Sequence, residues 1–323
     1  MAELGQLKKR LRGVELSGQL AGAVKTAASA KLSIINRLYS SYRTYVGELE
    51  KIVNSLLAHD KGSPTEDEKV AFSHSSSPSG SSDPSEPTVS SPFEHENGDS
   101  DGQVKPCYVI IGHNKGLCGS FNTELHSYAD EYISKHRDGK LYVCGKCAIA
   151  YFEGKTTVDG AFLLSDVPKA EQCKPLLEQL TNALMIERTS VTLIYQQFIN
   201  TLTQTPTVQI LNPPAKQNYN VKGRKNTEVN DILYIPDRMT VETDIQRKFY
   251  ETMLYKIILE SALSAQSATL TAMRTAYDNA VETAETLENE INKTRQRAVT
   301  TGVLETAFGM ASEWEEEENG IRK

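Results

Sequence analysis

The chain has 323 residues, 39% of them hydrophobic, so it can bury a sizeable core and is not a wholly disordered sequence. Its formal net charge of −7 leaves no overall basic field to attract nucleic acid or an acidic membrane surface. No stretch approaches the roughly twenty apolar residues needed to cross a bilayer, and five irregularly spaced cysteines fit reduced thiols better than a disulfide framework. Met1 leads into the charged LGQLKKRLR rather than a signal-like apolar core, so a soluble and, if bacterial, cytosolic chain is expected.

From Glu3 to about Ala58 there is no proline, and Leu4, Leu7, Leu11, Val14, Ile34, Ile35, Leu38, Leu49, Ile52, Val53 and Leu56 recur at helical spacing. Such a helix is a rod of about 80 Å and needs a partner along its length. The cluster Lys8, Lys9, Arg10 and Arg12 opens it. Its charges are too few to favour nucleic-acid contact over a solvated face or docking onto an acidic partner.

Residues 61–103 carry twelve serines, five prolines, nine acids and two lysines, with few large apolar residues. They cannot bury enough surface to offset their chain entropy, so disorder is expected over 59–103. A tolerated loop expansion is favoured over a phosphorylated regulatory arm.

Residues 104–238 read as an α/β domain. Short apolar runs (CYVII, KLYVCG, SVTLIYQQFI and TPTVQIL) alternate with helical patterns at about 120–136 and 168–186. The alternation predicts a largely parallel, Rossmann-like sheet edged by an antiparallel hairpin from the last two runs. The polar NPPAKQNYNVKGRKNTEVND then reads as a long loop.

The turn GHNKGLCGSFNTEL, between the first strand and the first helix of that domain, has the position of a phosphate cradle. A P-loop needs a lysine and a hydroxyl residue directly after its final glycine, whereas Gly119 is followed by Ser120 and Phe121. Gly112, Gly116 and Gly119 also miss the G-x-G-x-x-G spacing of a dinucleotide fingerprint. A turn that needs glycine for its backbone geometry is favoured.

Cys144 and Cys147 form CGKC where a strand meets a helix, which leaves a thioredoxin-like role open. A zinc site lacks its other ligands, and small buried thiols are the default. No paired-histidine motif and no G-x-S-x-G occurs, so no catalytic centre, metal site or cofactor site is expected.

From Val241 to about Gly309 proline is again absent. Leu259, Leu263, Leu270, Met273, Tyr277, Ala280, Ala284, Leu287, Ile291, Thr294 and Ala298 fall mostly at alternating three- and four-residue steps. Small residues crowd both rods, in AGAVKTAASA and SALSAQSATLTAM, which lets helix axes approach closely. The fold class predicted is α+α/β: a long antiparallel two-helix coiled coil, 1–58 with 239–311, closed by the central Rossmann-like α/β domain and followed by an acidic tail at 312–323.

This arrangement resembles the gamma subunit of F-type ATP synthases, over most of the chain except the acidic insert and the tail. Three segments carry the resemblance in order. The N-terminal rod has the basic start, Val14 and the alanine-rich run ending in Lys31 and Leu32. The middle turn has Gly116, Leu117, Cys118, Gly119 and Asn122. The C-terminal rod has Leu259, Glu260, Ser261, Ser264, Ala268, Ala272, Met273, Asp278, Asn279 and Ala280, and then Asn292, Arg295, Gln296, Thr300 and Glu305.

The resemblance implies a non-catalytic rotor. Its partners would be alpha and beta subunits in a ring around the coiled coil, with an epsilon subunit and a membrane c-ring at the α/β domain, on the cytoplasmic face of a bacterial cell membrane. Ion flow would turn the shaft in ATP synthesis, and hydrolysis would turn it back. Arg295 and Gln296 correspond to family residues that hydrogen-bond a beta-subunit loop, with Thr300 on the same stretch; a planar, always charged guanidinium suits that work.

The chain departs from the family at Gln19, Gly22, Val24, Ala265, Thr269 and Gly302, and in its acidic tail. A divergent gamma and a gamma-like paralogue of an unusual rotary ATPase both fit these departures. A helical-hairpin scaffold and a redox protein using CGKC stand as alternatives from other classes.

Overall fold

The computed structural model describes residues 2–58, 105–136, 139–214 and 235–320. The acidic insert at 59–103, most of the polar loop after Pro214 and the last three residues of the tail lie outside the described residues.

Helix α1 (Ala2–Ala58) is continuous. Its shielded positions step along the chain by three and four with few breaks: Leu4, Leu7, Leu11, Val14, Gly18, Ala21, Lys25, Ala28, Leu32, Ile35, Tyr39, Tyr42, Val46, Leu49, Val53 and Leu56. This is the seam of a coiled coil. Ile34 and Ile52, counted above among the apolar residues at helical spacing, lie off the seam and are exposed.

The partner is the terminal helix α5 (Arg238–Gly320), which runs antiparallel to α1. The close approaches fix the register: a Cβ added at Gly18 would stand 3.2 Å from the Ala280 Cβ, and one at Gly22 would stand 3.3 Å from the Tyr277 ring. The Lys25 ammonium lies 4.2 Å from the centre of the same ring. Of the predicted seam on α5, Leu259, Leu263 and Leu287 are buried and Leu270, Met273, Tyr277, Ala280, Ala284, Ile291 and Thr294 are half-buried, while Ala298 is exposed. The helix continues to Gly320 without a break at residue 312, where the sequence reading places a separate tail.

Between the rods lies a five-stranded sheet of order β3-β2-β1-β4-β5. Its strands are β1 (Cys107–Ile111), β2 (Lys140–Cys144), β3 (Gly160–Phe162), β4 (Val191–Phe198) and β5 (Gln204–Leu211). The first four are parallel, and β5 pairs antiparallel with β4 as the expected edge hairpin. Pro206 costs this sheet little because β5 is an edge strand.

The helices of the domain are α2 (Phe121–Lys135), α3 (Lys146–Phe152) and α4 (Ala170–Met185). One core layer joins β1, β2, β4 and α4 to the foot of the shaft through Val46, Leu49, Val53, Leu254, Ile257 and Ile258. A second layer packs α2 and α3 on the other face of the sheet, around Ile110, Leu125, Val143 and Phe152. The domain and the shaft therefore share a core.

Candidate functional site

The turn after β1 is built from backbone constraints and short local bonds. The Gly112 N–H donates to the Cys144 carbonyl over 2.9 Å, and a Cβ there would lie 2.7 Å from that of Ala148. Asn114 bridges two neighbouring segments: its amide donates to the Leu164 carbonyl, and its oxygen accepts from the Lys146 N–H. The Asn122 amide donates to the Lys115 carbonyl over 2.9 Å and approaches the Cys118 sulfur at 3.3 Å. Gly119 sits at φ +60°, a left-handed conformation that strains any residue with a Cβ.

The structure thus assigns separate tasks to the family-marker residues. Cys118 is buried against Phe121 and Ala265 of α5, with Ala268 alongside; Gly119 permits the bend and Asn122 ties it. Gly116 faces open space and Leu117 is exposed, so neither is demanded by this chain's own packing.

In a doubly wound sheet, ligands bind in the crevice outside the carboxyl ends of the strands where strand order reverses. Here that point lies between β1 and β4, and helix α5 occupies it. The Ser261 hydroxyl donates to the Ile111 carbonyl at the end of β1 over 3.0 Å, Ala265 packs under the turn, and a Cβ at Gly119 would stand 3.8 Å from that of Ala272. The Gln196 amide on β4 closes the other side by donating to the Phe121 carbonyl. The cradle-like turn holds a shaft rather than a phosphate.

CGKC has the wrong electrostatics for thiol–disulfide chemistry, which needs an accessible thiolate. Cys144 is fully buried in the core shared with α4 and the shaft, and burial pushes its thiol far above its ordinary value, with Cys173 nearby adding to the rise. Gly145, at φ +93°, turns the chain from β2 into α3, and Cys144 and Cys147 are both free thiols. Burial of Cys144 leaves Cys147 as the motif's one partly accessible thiol, which does not favour the redox reading.

The predicted contact residues lie elsewhere. Carried along at equal rise, the register of Gly18 with Ala280 brings Leu4 level with Thr294. The same register puts Ala2, where α1 begins, level with Gln296, and beyond it α5 runs on with no helix beside it among the described residues. Arg295, Gln296 and Thr300 are all exposed at the root of this free tip, and the Thr300 hydroxyl donates back to the Gln296 carbonyl over 3.0 Å.

Above them the tip exposes Val299, Val303, Leu304 and Phe308, at 60%, 63%, 51% and 72%. With about 100° of turn per residue, Arg295, Val299, Val303, Gln296 and Thr300 share one broad face, mixed polar and apolar. The sequence reading missed its apolar part. The signal was present in the four-residue steps 299, 303 and in Phe308, but it was hidden behind the expectation that the coiled coil continues to about Ala311. Large apolar side chains left exposed over half the circumference of a helix that has no neighbour among the described residues mark an interaction surface.

A protein family described as ATP synthase matches residues 3–312. The ATP synthase gamma chain of Desulfitobacterium hafniense is 27% identical over 316 residues, which is 97% of this chain and 99% of that one. The gamma chain of Methylibium petroleiphilum is 32% identical over 212 residues, 64% of this chain and 72% of its own. Among solved structures, a chain of the Euglena gracilis mitochondrial ATP synthase rotor superposes with a TM-score of 0.55 at 14% identity, covering 92% of this chain and 99% of that chain. A chain from the same organism's OSCP/F1/c-ring assembly gives 0.56 at 15% identity, with 96% and 94% covered. At those identities the structures speak to the fold alone.

Proposed function

Since the chain belongs to the gamma-chain family of the ATP synthases, and is by that membership a central-stalk subunit, we propose that α1 and α5 form a shaft turning within a ring of alternating alpha and beta subunits. The turning shaft couples ion flow through a membrane c-ring to ATP synthesis, or runs in reverse on hydrolysis. The observation that carries this reading is the tip of α5, which among the described residues has no helix beside it and exposes Arg295, Gln296, Val299, Thr300 and Val303 on one face and Leu304 and Phe308 on another.

A lone helix in a ring presents a different face to each subunit around it. It can therefore bias their open and closed states only through differential contact energy. On this reading the chain does no bond chemistry of its own, and Arg295 and Gln296 grip a beta-subunit loop at the level where the coiled coil ends. The α/β domain lies below the ring, against an epsilon subunit and the c-ring, on the cytoplasmic face of a bacterial membrane. On this reading the protein is held to the membrane through its partners; among the described residues no helix is long and apolar enough to cross a membrane.

Co-expression with the alpha and beta subunits of the same source tests the reading. The expected result is a stable complex with ATPase activity. Repeated failure of the three chains to co-purify would refute it.

A further inference from the structure

One carboxylate joins three segments that are far apart in sequence. Asp166, in the connection between β3 and α4, receives Lys31 of α1 at 2.5 Å and Lys115 of the β1–α2 turn at 2.7 Å, both on the same oxygen, Oδ2. Its side chain is only 15% exposed, and that of Lys31 is 31% exposed. The turn around it is held independently, by Ser165 donating to the Val167 carbonyl over 2.5 Å and by Asn114 donating to the Leu164 carbonyl. Among the described residues, Lys31–Asp166 is the one ion pair that joins α1 to the α/β domain.

We propose that Asp166 is a positioning residue of the rotor, a bracket that fixes the rotational register of α1 against the α/β domain so that twist passes between foot and shaft. The inference rests on the rotor reading above. Its physical basis is a difference between kinds of contact. The apolar seam of α1 resists separation and its close approaches fix the register along α5, but hydrophobic contact has no direction of its own and opposes a small rotational slip against the domain less strongly. A charge-assisted hydrogen bond has a preferred length and angle and opposes such slip.

Lys115 has a separate task, because it ties the same oxygen to the marker turn and holds the carboxylate in place for Lys31. The titratable groups facing Asp166 are these two lysines and the buried His113 on the turn. Burial alone would raise the Asp166 pKa, but the hydrogen bonds from Lys115 and Lys31 outweigh it and hold the carboxyl at about 2.

The test uses the complete synthase in sealed vesicles, comparing ATP-driven ion pumping with ATP hydrolysis. Lys31→Met is expected to keep hydrolysis while lowering ions pumped per ATP by at least about two-fold, on the scale of one lost ion pair. Lys31→Arg should restore the ratio, and Lys115→Met, which leaves Lys31 on Asp166 but loosens the carboxylate, should lower the ratio by less than Lys31→Met does. Spin labels attached at the exposed Ser40 and Lys174 by cysteine-independent chemistry give a second readout on the isolated chain. Their distance distribution should broaden in Lys31→Met and return to its parent width in Lys31→Arg. An assembled synthase in which Lys31→Met pumps at the parent ratio, with an unchanged label distance, would overturn the bracket and leave the rotor reading standing. Failure of the parent chain to assemble would remove both.

Discussion

Ser261 and Ser264 sit one turn apart on the buried face of α5 and differ in one respect. The Ser261 hydroxyl donates to the end of β1, while that of Ser264 has no partner among the described residues. A made hydrogen bond contributes about 1 kcal/mol net, and a buried polar atom without a partner only costs. Ser261→Ala should therefore lower stability by about 1 kcal/mol, and Ser264→Ala should be neutral or stabilising; denaturant melts of the isolated chain compare the two. His126 offers a pH test. Burial first, and then the neighbouring Lys155, hold its pKa below the ordinary 6.5, so the folded protein keeps it neutral against the ring of Tyr151. The unfolded chain takes up that proton first, so this contribution is complete above pH 6.5 and is lost as pH falls through the folded value. Thermal melts of His126→Phe should depend less on pH below 6.5 than those of the parent; an equal slope would contradict the assignment. At this scale the sequence was legible where backbone geometry left little choice, as at Gly119, whose positive φ fits the expected glycine turn. It was silent on Asp166, because a lone aspartate in a loop carries no pattern and acquires its role only when the fold brings Lys31 and Lys115 to it.

The elements were legible in proportion to their length and periodicity. Both rods declared themselves through three- and four-residue steps, and β1, β2, β4 and β5 through short apolar runs ended by turns. β3 and α3 were missed because three residues and seven residues, partly exposed, give no periodic signal. By the resemblance, a glutamate and an arginine are usual where this chain has Ala265 and Thr269, and the seam shows what surrounds the two smaller residues. Ala265 is 2% exposed against Cys118 and Phe121, and the Thr269 hydroxyl turns back onto the Ala265 carbonyl over 2.8 Å. A glutamate at 265 would place an unpaired carboxylate in an apolar contact. Ala265→Glu is accordingly expected to destabilise the chain by about 3 kcal/mol, and adding Thr269→Arg one turn on should recover part of that loss. Additive losses in the double variant would show that the two positions do not act as a pair.

At the scale of the whole molecule, two helices from opposite ends of the sequence enclose a domain whose ligand crevice is filled by one of them. The long helix α5 serves in turn as core of the domain, half of a coiled coil and free tip. At 83 residues it spans about 125 Å, against about 85 Å for the 57 residues of α1, and this difference in length produces the tip. The sequence announced the pairing but not the overhang, because register in an antiparallel pair is set by close approaches such as Gly18 to Ala280, which periodicity alone does not reveal. If the tip grips the ring, Arg295→Ala combined with Gln296→Ala should lower the ATPase rate of an assembled complex several-fold without preventing assembly, by about 1–2 kcal/mol in the barrier. The most direct measurement of the central claim attaches a probe to the α/β domain of a complex whose alpha/beta ring is fixed to a surface, and follows it when ATP is added. A rotor carries the probe round steadily in one direction; ATP hydrolysis by the same complex with a stationary probe would contradict the rotor assignment.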